Sequence, residues 1–568
     1  MRLCYKKNVF LFCFILVLWG VYGYAVERIC GFSVFQDEFG YWANAAKLAG
    51  YDWSGCAGIS SYYSYGYSLL LTVILRMFQD SMAAYRAAVA LNVVLICGAA
   101  VLLWKLADSI FIGIEENRKI YALGVAVFYP PVVFYTQMTM TESLLTFLFI
   151  LACYLLLKFC ESEKTSTAVV LAVVLAYMFY VHMRTAGIVC ACVFVLGWYG
   201  YRNRSCRKKL FAGAAVWIVC MLLGLWLKDI LMDAVYGAAS QEVLQNNDVT
   251  GQLDRVKSLF SVQGIYNFMY SAVGKLFYLG MASWGTLYFA AAYCVRHFRR
   301  PLVQFAALGS AAQFMISALF MSEPGRIDTV IYGRYNDYLM PLVIMIGVLE
   351  MTSAGHLLKK AAAVAAGNGI AACVLVRYME RKGLYLLKGY FAAGMGYVWR
   401  PRKSWDTDVD IPWEIGKAYL ACAALMLLLV LLVLVIRRMK YMEWVLCIFI
   451  AVEIALTMAL HGKYTFVFND VNRGCLRVAD YLRENGAEEV VYVNEDGFPY
   501  IDLVQFYMRE LTVEVWNAAS GEDWKEFLEE DVCVIVNEDC TYLEEMEEVM
   551  EPLIQSGNMV VLEWQQDQ

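Results

Sequence analysis

Charge is what this 568-residue chain has least of. Asp, Glu, Lys and Arg together make up 17% of it, against roughly 25% in a soluble domain. That scarcity excludes a water-facing surface for most of its length, and 61% hydrophobic residues with a mean hydropathy of +0.54 point the same way. Histidine is sparse as well. His182, His297, His356 and His461 show no His-x-x-His spacing, and no Cys-x-x-Cys pair occurs, so the usual zinc-site patterns are missing. There is no Gly-rich phosphate loop and no internal repeat. The first apolar run, Val9–Val26, follows Arg2, Lys6 and Lys7 but has no clear small-x-small cleavage site before Glu27. It therefore reads as a retained helix rather than a removed signal. The net charge of −6 lies mostly in the C-terminal tail.

Long apolar runs are abundant. A transmembrane helix needs about 20 mostly apolar residues. Such runs fall near 9–26, 86–106, 119–135, 142–158, 166–182, 186–201, 210–228, 272–295, 302–321, 336–354, 361–376, 417–436 and 443–461. This predicts a polytopic α-helical membrane protein with about thirteen spans. With the N-terminus cytoplasmic, Arg118-Lys119, Lys158 with Lys164, Arg202–Lys209, Arg296–Arg300, Lys359-Lys360 and Arg437–Lys440 all fall on the cytoplasmic side. That alternation obeys the positive-inside rule. It leaves 27–85, 136–141, 183–185, 229–271, 322–335, 377–416 and the tail outside. The protein is thus expected in the cell membrane with an extracytoplasmic C-terminal region.

The external loops are the long ones. In the first, the run Tyr65–Phe78 is too short to span and reads as a helix lying along the interface, with Tyr62, Tyr63, Tyr65 and Tyr67 as an aromatic belt. The tail from 462 changes character. Helical patterns at Val471–Glu484, Ile501–Arg509, Trp524–Glu529 and Tyr542–Gln555 alternate with strand patterns at Glu489–Val493, Leu511–Val515, Val532–Val536 and Met559–Leu562. That predicts a small α/β layer with a mostly parallel sheet and an accessory role. The chain divides accordingly into a membrane module, 1–461, and this layer, 462–568. Most of the 18 cysteines lie within apolar runs and behave as small apolar residues. Cys30 with Cys56, and Cys533 with Cys540, are close enough in sequence to pair but read as free thiols.

Four polar sites fall on the external face. Asp37-Glu38 follows the first span. Asp37 precedes a helical pattern and suits either an N-cap or a general base, with Glu38 capping or orienting its neighbour. Glu142 opens the fourth span, where Thr139-x-x-Glu142 has capping-box form. Arg184 sits at an external turn, and Arg334-Tyr335 closes the loop before the 336–354 run. Each arginine can snorkel to headgroups or bind a phosphate with its planar fork. Two acids and two arginines on one face suit a lipid-anchored phosphosugar: arginine holds the leaving phosphate and a carboxylate deprotonates the acceptor. The segment 229–271, with Asp248, Asp254, Arg255 and Lys257, is a candidate wall of the sugar pocket. A flippase or transporter of lipid-linked sugars would place ionisable residues mid-bilayer. A polysaccharide polymerase or ligase would rest on arginines and a histidine. A non-catalytic scaffold would use the tail for binding.

Over roughly residues 1–350 the pattern resembles the GT-C membrane glycosyltransferases, in particular the protein O-mannosyltransferases and lipid A aminoarabinose transferases. The resemblance rests on Asp37-Glu38 with Tyr41 and Ala45, on Tyr65-Gly66-Tyr67-Ser68-Leu69-Leu70, on Pro130-Pro131 before Thr141-Glu142, and on Arg334-Tyr335 before Pro341. It implies a polyprenyl-phosphate sugar as donor, an extracytoplasmic acceptor, and Asp37 as catalytic base with Glu38 beside it. Arg184, Arg334 and Tyr335 would hold the donor phosphate, with Glu142 and Tyr41 in support. Some relatives hold a divalent metal through an Asp-x-Asp. Here Asp406-Thr407-Asp408 and Asp410 fall in a late loop at no matching position, so no metal or other cofactor is expected, and no nucleic acid.

Overall fold

The computed structural model describes residues 2–60, 62–237, 255–322, 329–382, 393–395, 411–438 and most of 451–565. The chain enters as α1 (Arg2–Gly23), then folds a first loop with three helices, α2 (Phe35–Ala49), α3 (Ser54–Ile59) and α4 (Ser68–Met77). Next comes α5 (Ser81–Ile110), whose first turn is closed by Asp80, the carboxylate accepting from the Ala83 N–H. α6 (Glu116–Val127) and α7 (Pro130–Thr136) follow with a 54° bend between them, where Pro130 removes a helical N–H. The bundle continues through α8 (Glu142–Ser162), α9 (Thr165–Val181), α10 (Ala186–Arg202) and α11 (Arg207–Tyr236). Its last described members are α12 (Val262–Ala282), α13 (Thr286–His297), α14 (Pro301–Phe320), α15 (Arg334–Asp337), α16 (Met340–Ser353), α17 (Leu357–Lys382) and α18 (Ile411–Arg438).

Among the described residues eight helices are long and apolar enough to cross a bilayer, or nine if the bent pair α6–α7 counts as one span. The expected thirteen is not reached, for identifiable reasons. α9 and α16, at 17 and 14 residues, fall short of that length. The 272–295 stretch is two helices, broken where Trp284 and Gly285 take positive φ (50° and 77°). Gly285 also has no room for a side chain, since a Cβ there would lie 2.7 Å from the Met426 sulfur. Most of 443–461 lies outside the described residues. The outward surfaces of α1, α11 and α18 expose Phe12, Leu16, Trp226 and Leu427, as lipid-facing helices do.

The basic loops make their contacts at one end of the bundle. Arg300 donates to the Ile110 carbonyl at 3.0 Å, Arg296 pairs with Glu350, Lys119 pairs with Asp108, and Lys209 lies 3.7 Å from Glu163. Asp37, Glu142, Arg184 and Arg334 meet at the other end. The tyrosines expected to form a belt instead point inward. Tyr65 donates to the Gly224 carbonyl at 2.8 Å, Tyr67 bonds Asn92, and Tyr62 packs edge-on against Tyr236. Each phenol has an internal partner, which is what lets it be buried. α4 buries Leu71 and Leu75 and exposes Val73 and Met77, the two-faced pattern of an interfacial helix.

The C-terminal layer holds α19 (Asn469–Glu484), β1 (Val490–Asn494), α20 (Ile501–Tyr507), β2 (Val513–Asn517), α21 (Trp524–Phe527), β3 (Cys533–Asn537), α22 (Leu543–Glu547), β4 (Met550–Ser556) and β5 (Met559–Trp564). The sheet order is β2-β1-β3-β5-β4. β1 runs parallel to β2 and β3, while β5 runs antiparallel to both β3 and β4. The sheet is therefore mixed rather than mostly parallel, because the Tyr542–Gln555 stretch, expected as a helix, ends its helical turns at Glu547 and becomes β4. The layer sits on the first loop. Phe506 packs among Phe32, Trp42, Trp53 and Tyr85, Trp53 Nε1 donates to the Arg509 carbonyl at 2.9 Å, and Ser60 Oγ donates to the buried Asp502. Cys30, Cys56, Cys533 and Cys540 are free thiols.

Candidate active site

The acidic pair splits because successive helical residues point about 100° apart. Val34, not Asp37, is the N-cap of α2. Glu38, wholly buried, turns inward and takes the capping role. Its Oε1 accepts from the N–H groups of Ser33 (2.6 Å) and Val34 (3.0 Å). Its Oε2 accepts from Tyr85 Oη (2.8 Å) and from both the N–H and the hydroxyl of Thr139 (2.7 Å each). Burial raises the Glu38 pKa, opposed by the hydrogen bonds from Thr139, Val34 and Ser33. Glu38 therefore locks α2 to α5 and to the 136–141 loop, and presents Asp37 to the open side.

Asp37 keeps 18% of its side chain exposed, more than any of its charged partners. Tyr63 Oη donates to its Oδ1 at 2.5 Å and Arg334 Nη1 to its Oδ2. Arg334 Nε donates in turn to Glu142 Oε1 at 2.8 Å, and Arg184 Nη2 donates to the same oxygen at 3.0 Å. Glu142 makes no side-chain cap for α8; its carboxylate bridges two guanidiniums instead. Arg184 is 2% exposed and lies 4.6 Å from the Tyr335 ring centre and 5.5 Å from that of Tyr338. Among the described residues its Nε and Nη1 have no acceptor, nor does Glu142 Oε2 have a donor. Tyr41 packs its ring 4.9 Å from that of Tyr63. The structure thus brings Asp37, Glu142, Arg184, Arg334, Tyr335 and Tyr41 into one chain of contacts, with Glu38 behind them.

Two groups escaped the sequence. Asp337, three residues past Arg334, is buried and accepts from Tyr129 (2.7 Å) and Tyr278 (2.9 Å). Tyr278 also accepts the Gly394 N–H at 3.0 Å, so a residue of the 377–416 loop reaches the same network. The approach is close: a Cβ on Gly333 would lie 1.7 Å from the Tyr278 ring. Lys275 is buried and donates to Ser271 (2.8 Å) and to the Thr329 carbonyl (3.0 Å), tying α12 to the segment that leads into Arg334. The only signal was an unpaired charge inside an apolar run, which calls for a partner. Arg255 donates to the Phe320 carbonyl. Asp248, Asp254, Asp406, Asp408 and Asp410 lie outside the described residues, and among the described ones no three His, Cys, Asp or Glu groups are placed to hold a metal ion.

The helical bundle with this cluster at one end and a small α/β layer above it is the GT-C fold. ArnT from Cupriavidus metallidurans, solved bound to undecaprenyl phosphate, shares it at 13% identity and a TM-score of 0.58, over 98% of this chain and 97% of that one. The apo state of ArnT matches with the same identity and score, over 98% of each chain. Arabinosyltransferase EmbB from Mycobacterium smegmatis matches at 11% identity and a TM-score of 0.41, over 82% of this chain and 42% of that one. No family profile matches the sequence and no curated protein matches it.

Proposed function

We propose that the chain is a membrane glycosyltransferase that moves a sugar from a polyprenyl-phosphate donor to an extracytoplasmic acceptor, with Asp37 as general base. One observation carries this reading: a buried Arg184 with two donors unpaired among the described residues, joined through Glu142 and Arg334 to the partly exposed Asp37. A buried guanidinium with unmet donors calls for an anion. ArnT, with the same fold, was solved with undecaprenyl phosphate.

In this reading the acceptor hydroxyl or amine loses its proton to Asp37 as it attacks the anomeric carbon. The bond from that carbon to the phosphate oxygen breaks, the phosphate leaves with the electron pair, and the sugar inverts. Arg184 and Arg334 meet the leaving charge, Glu142 fixes both, and Tyr335 and Tyr41 line the approach. Glu38 orients α2. Residues 1–461 form the catalytic module and 462–568 a layer that buttresses the first loop. The alternation of basic loops supports a cytoplasmic N-terminus with this layer outside.

The test is a purified preparation in liposomes, supplied with polyprenyl-phosphate sugar and assayed for released polyprenyl phosphate. Arg184→Ala removes at least one charge-assisted hydrogen bond to the phosphate, worth roughly 1.5–3 kcal/mol, so donor affinity falls by about 10- to 100-fold or more. Unchanged donor affinity would remove the phosphate role.

A further inference from the structure

We propose that a groove between α9, α10 and α11, at the opposite end of the bundle from the Asp37 cluster, binds an anionic diacyl phospholipid from the adjoining leaflet. A cavity of about 990 Å³ lies there, against the first turns of α9 and α11 and the last turns of α10. Small residues line it: Ala172, Gly197 and Ala214 leave its space unfilled, while Gly213 lets α11 close against Ala168, a Cβ there lying 3.1 Å from the Ala168 carbonyl oxygen. A Cβ on Gly197 would meet nothing within 4 Å.

Depth and charge select the occupant. The α11 wall runs from Arg207 to Ile218, about 16 Å at 1.5 Å per residue. Half of the ~30 Å hydrocarbon core is the same length, so the groove is one leaflet deep. Its charged lining residues, Arg204 and Arg207, both sit at the mouth. Arg207 is fixed there, with Nε donating to the Gly200 carbonyl (2.9 Å) and Nη2 to the Tyr201 carbonyl (3.2 Å). An apolar slot of one-leaflet depth with two cations at its rim matches a phosphate headgroup carrying acyl chains. A polyprenyl phosphate has the same phosphate and hydrocarbon chemistry, but a long polyprenyl chain would overrun the slot, and its proposed seat is at the other end.

The test uses the full chain in a nonionic detergent, offered phosphatidylglycerol, phosphatidylcholine or undecaprenyl phosphate. Bound lipid is read by native mass spectrometry, and stability by thermal unfolding. Phosphatidylglycerol is expected to be retained over phosphatidylcholine and to raise the Tm, as a ligand of the folded state does. Arg204→Ala with Arg207→Ala should cut that retention by about 30-fold, about fivefold for each arginine. Gly197→Leu should abolish it while leaving the lipid-free Tm at the wild-type value, which keeps the test valid if the arginine variant folds poorly. Equal retention of the two phospholipids, retention that survives Gly197→Leu, or displacement of phosphatidylglycerol by undecaprenyl phosphate would each overturn the proposal.

Discussion

Replacing Glu142 with glutamine puts the central cluster to a quantitative test. The Glu142 carboxylate is 2% exposed and one oxygen serves two guanidiniums, Arg334 at 2.8 Å and Arg184 at 3.0 Å. The amide keeps the shape and an acceptor but not the charge, so Arg334 is left with Asp37 and Arg184 loses the carboxylate it pairs with. Removing one partner of a buried ion pair costs about 3–5 kcal/mol, since the remaining charge stays desolvated. Glu142→Gln should therefore lose about that much in denaturant unfolding of the detergent-solubilised protein. Arg184→Gln in the same background should cost less than in the wild type, with a coupling of about 1–3 kcal/mol. A loss below about 1 kcal/mol, or strict additivity of the two changes, would mean that Glu142 does not hold the arginines.

The C-terminal layer yields two further expectations. Phe506→Ala empties a site ringed by Phe32, Trp42, Trp53 and Tyr85, and should cost about 3–5 kcal/mol; a wild-type unfolding midpoint would show that α20 does not brace the first loop. Asp502 is buried with Ser60 as its hydrogen-bond partner, and desolvation holds its pKa well above the usual carboxylate range. The folded state then keeps a proton that the unfolded chain releases near pH 3.9. This group's contribution to stability is full below that pH and is lost as pH rises toward the folded pKa. Asp502→Asn should flatten that decline in Tm between pH 4 and neutrality; an unchanged Tm–pH slope would refute it.

The sequence exposed the charged members of the cluster because charges are rare in apolar surroundings. Asp37, Glu142, Arg184 and Arg334 stood out for that reason, and their shared side followed from the alternation of basic loops. The division of labour within Asp37-Glu38 was legible only as a choice, because it depends on which way the first turn of α2 faces. Tyr63 was misread as an interfacial aromatic, since a tyrosine's partner is set by tertiary contacts and not by spacing. Asp337 was lost inside a predicted span, although its link to Tyr129 and Tyr278 needs three segments far apart in sequence. The break at Trp284-Gly285 shows in the sequence only as the brief dip Ser283–Thr286 inside a long apolar run, too short to divide a predicted span. In the tail, the acidic run Glu544–Glu548 favoured a long helix, while Ser556-Gly557-Asn558, where Gly557 takes a φ of 62°, was the overlooked sign of the β4–β5 hairpin.

The most direct measurement of the central claim is the turnover of Asp37→Asn with saturating polyprenyl-phosphate sugar and acceptor, in a variant whose thermal unfolding confirms that it folds. If Asp37 takes the acceptor's proton, turnover falls by about 10²- to 10⁴-fold while donor binding holds. Full turnover in the folded variant would contradict the account.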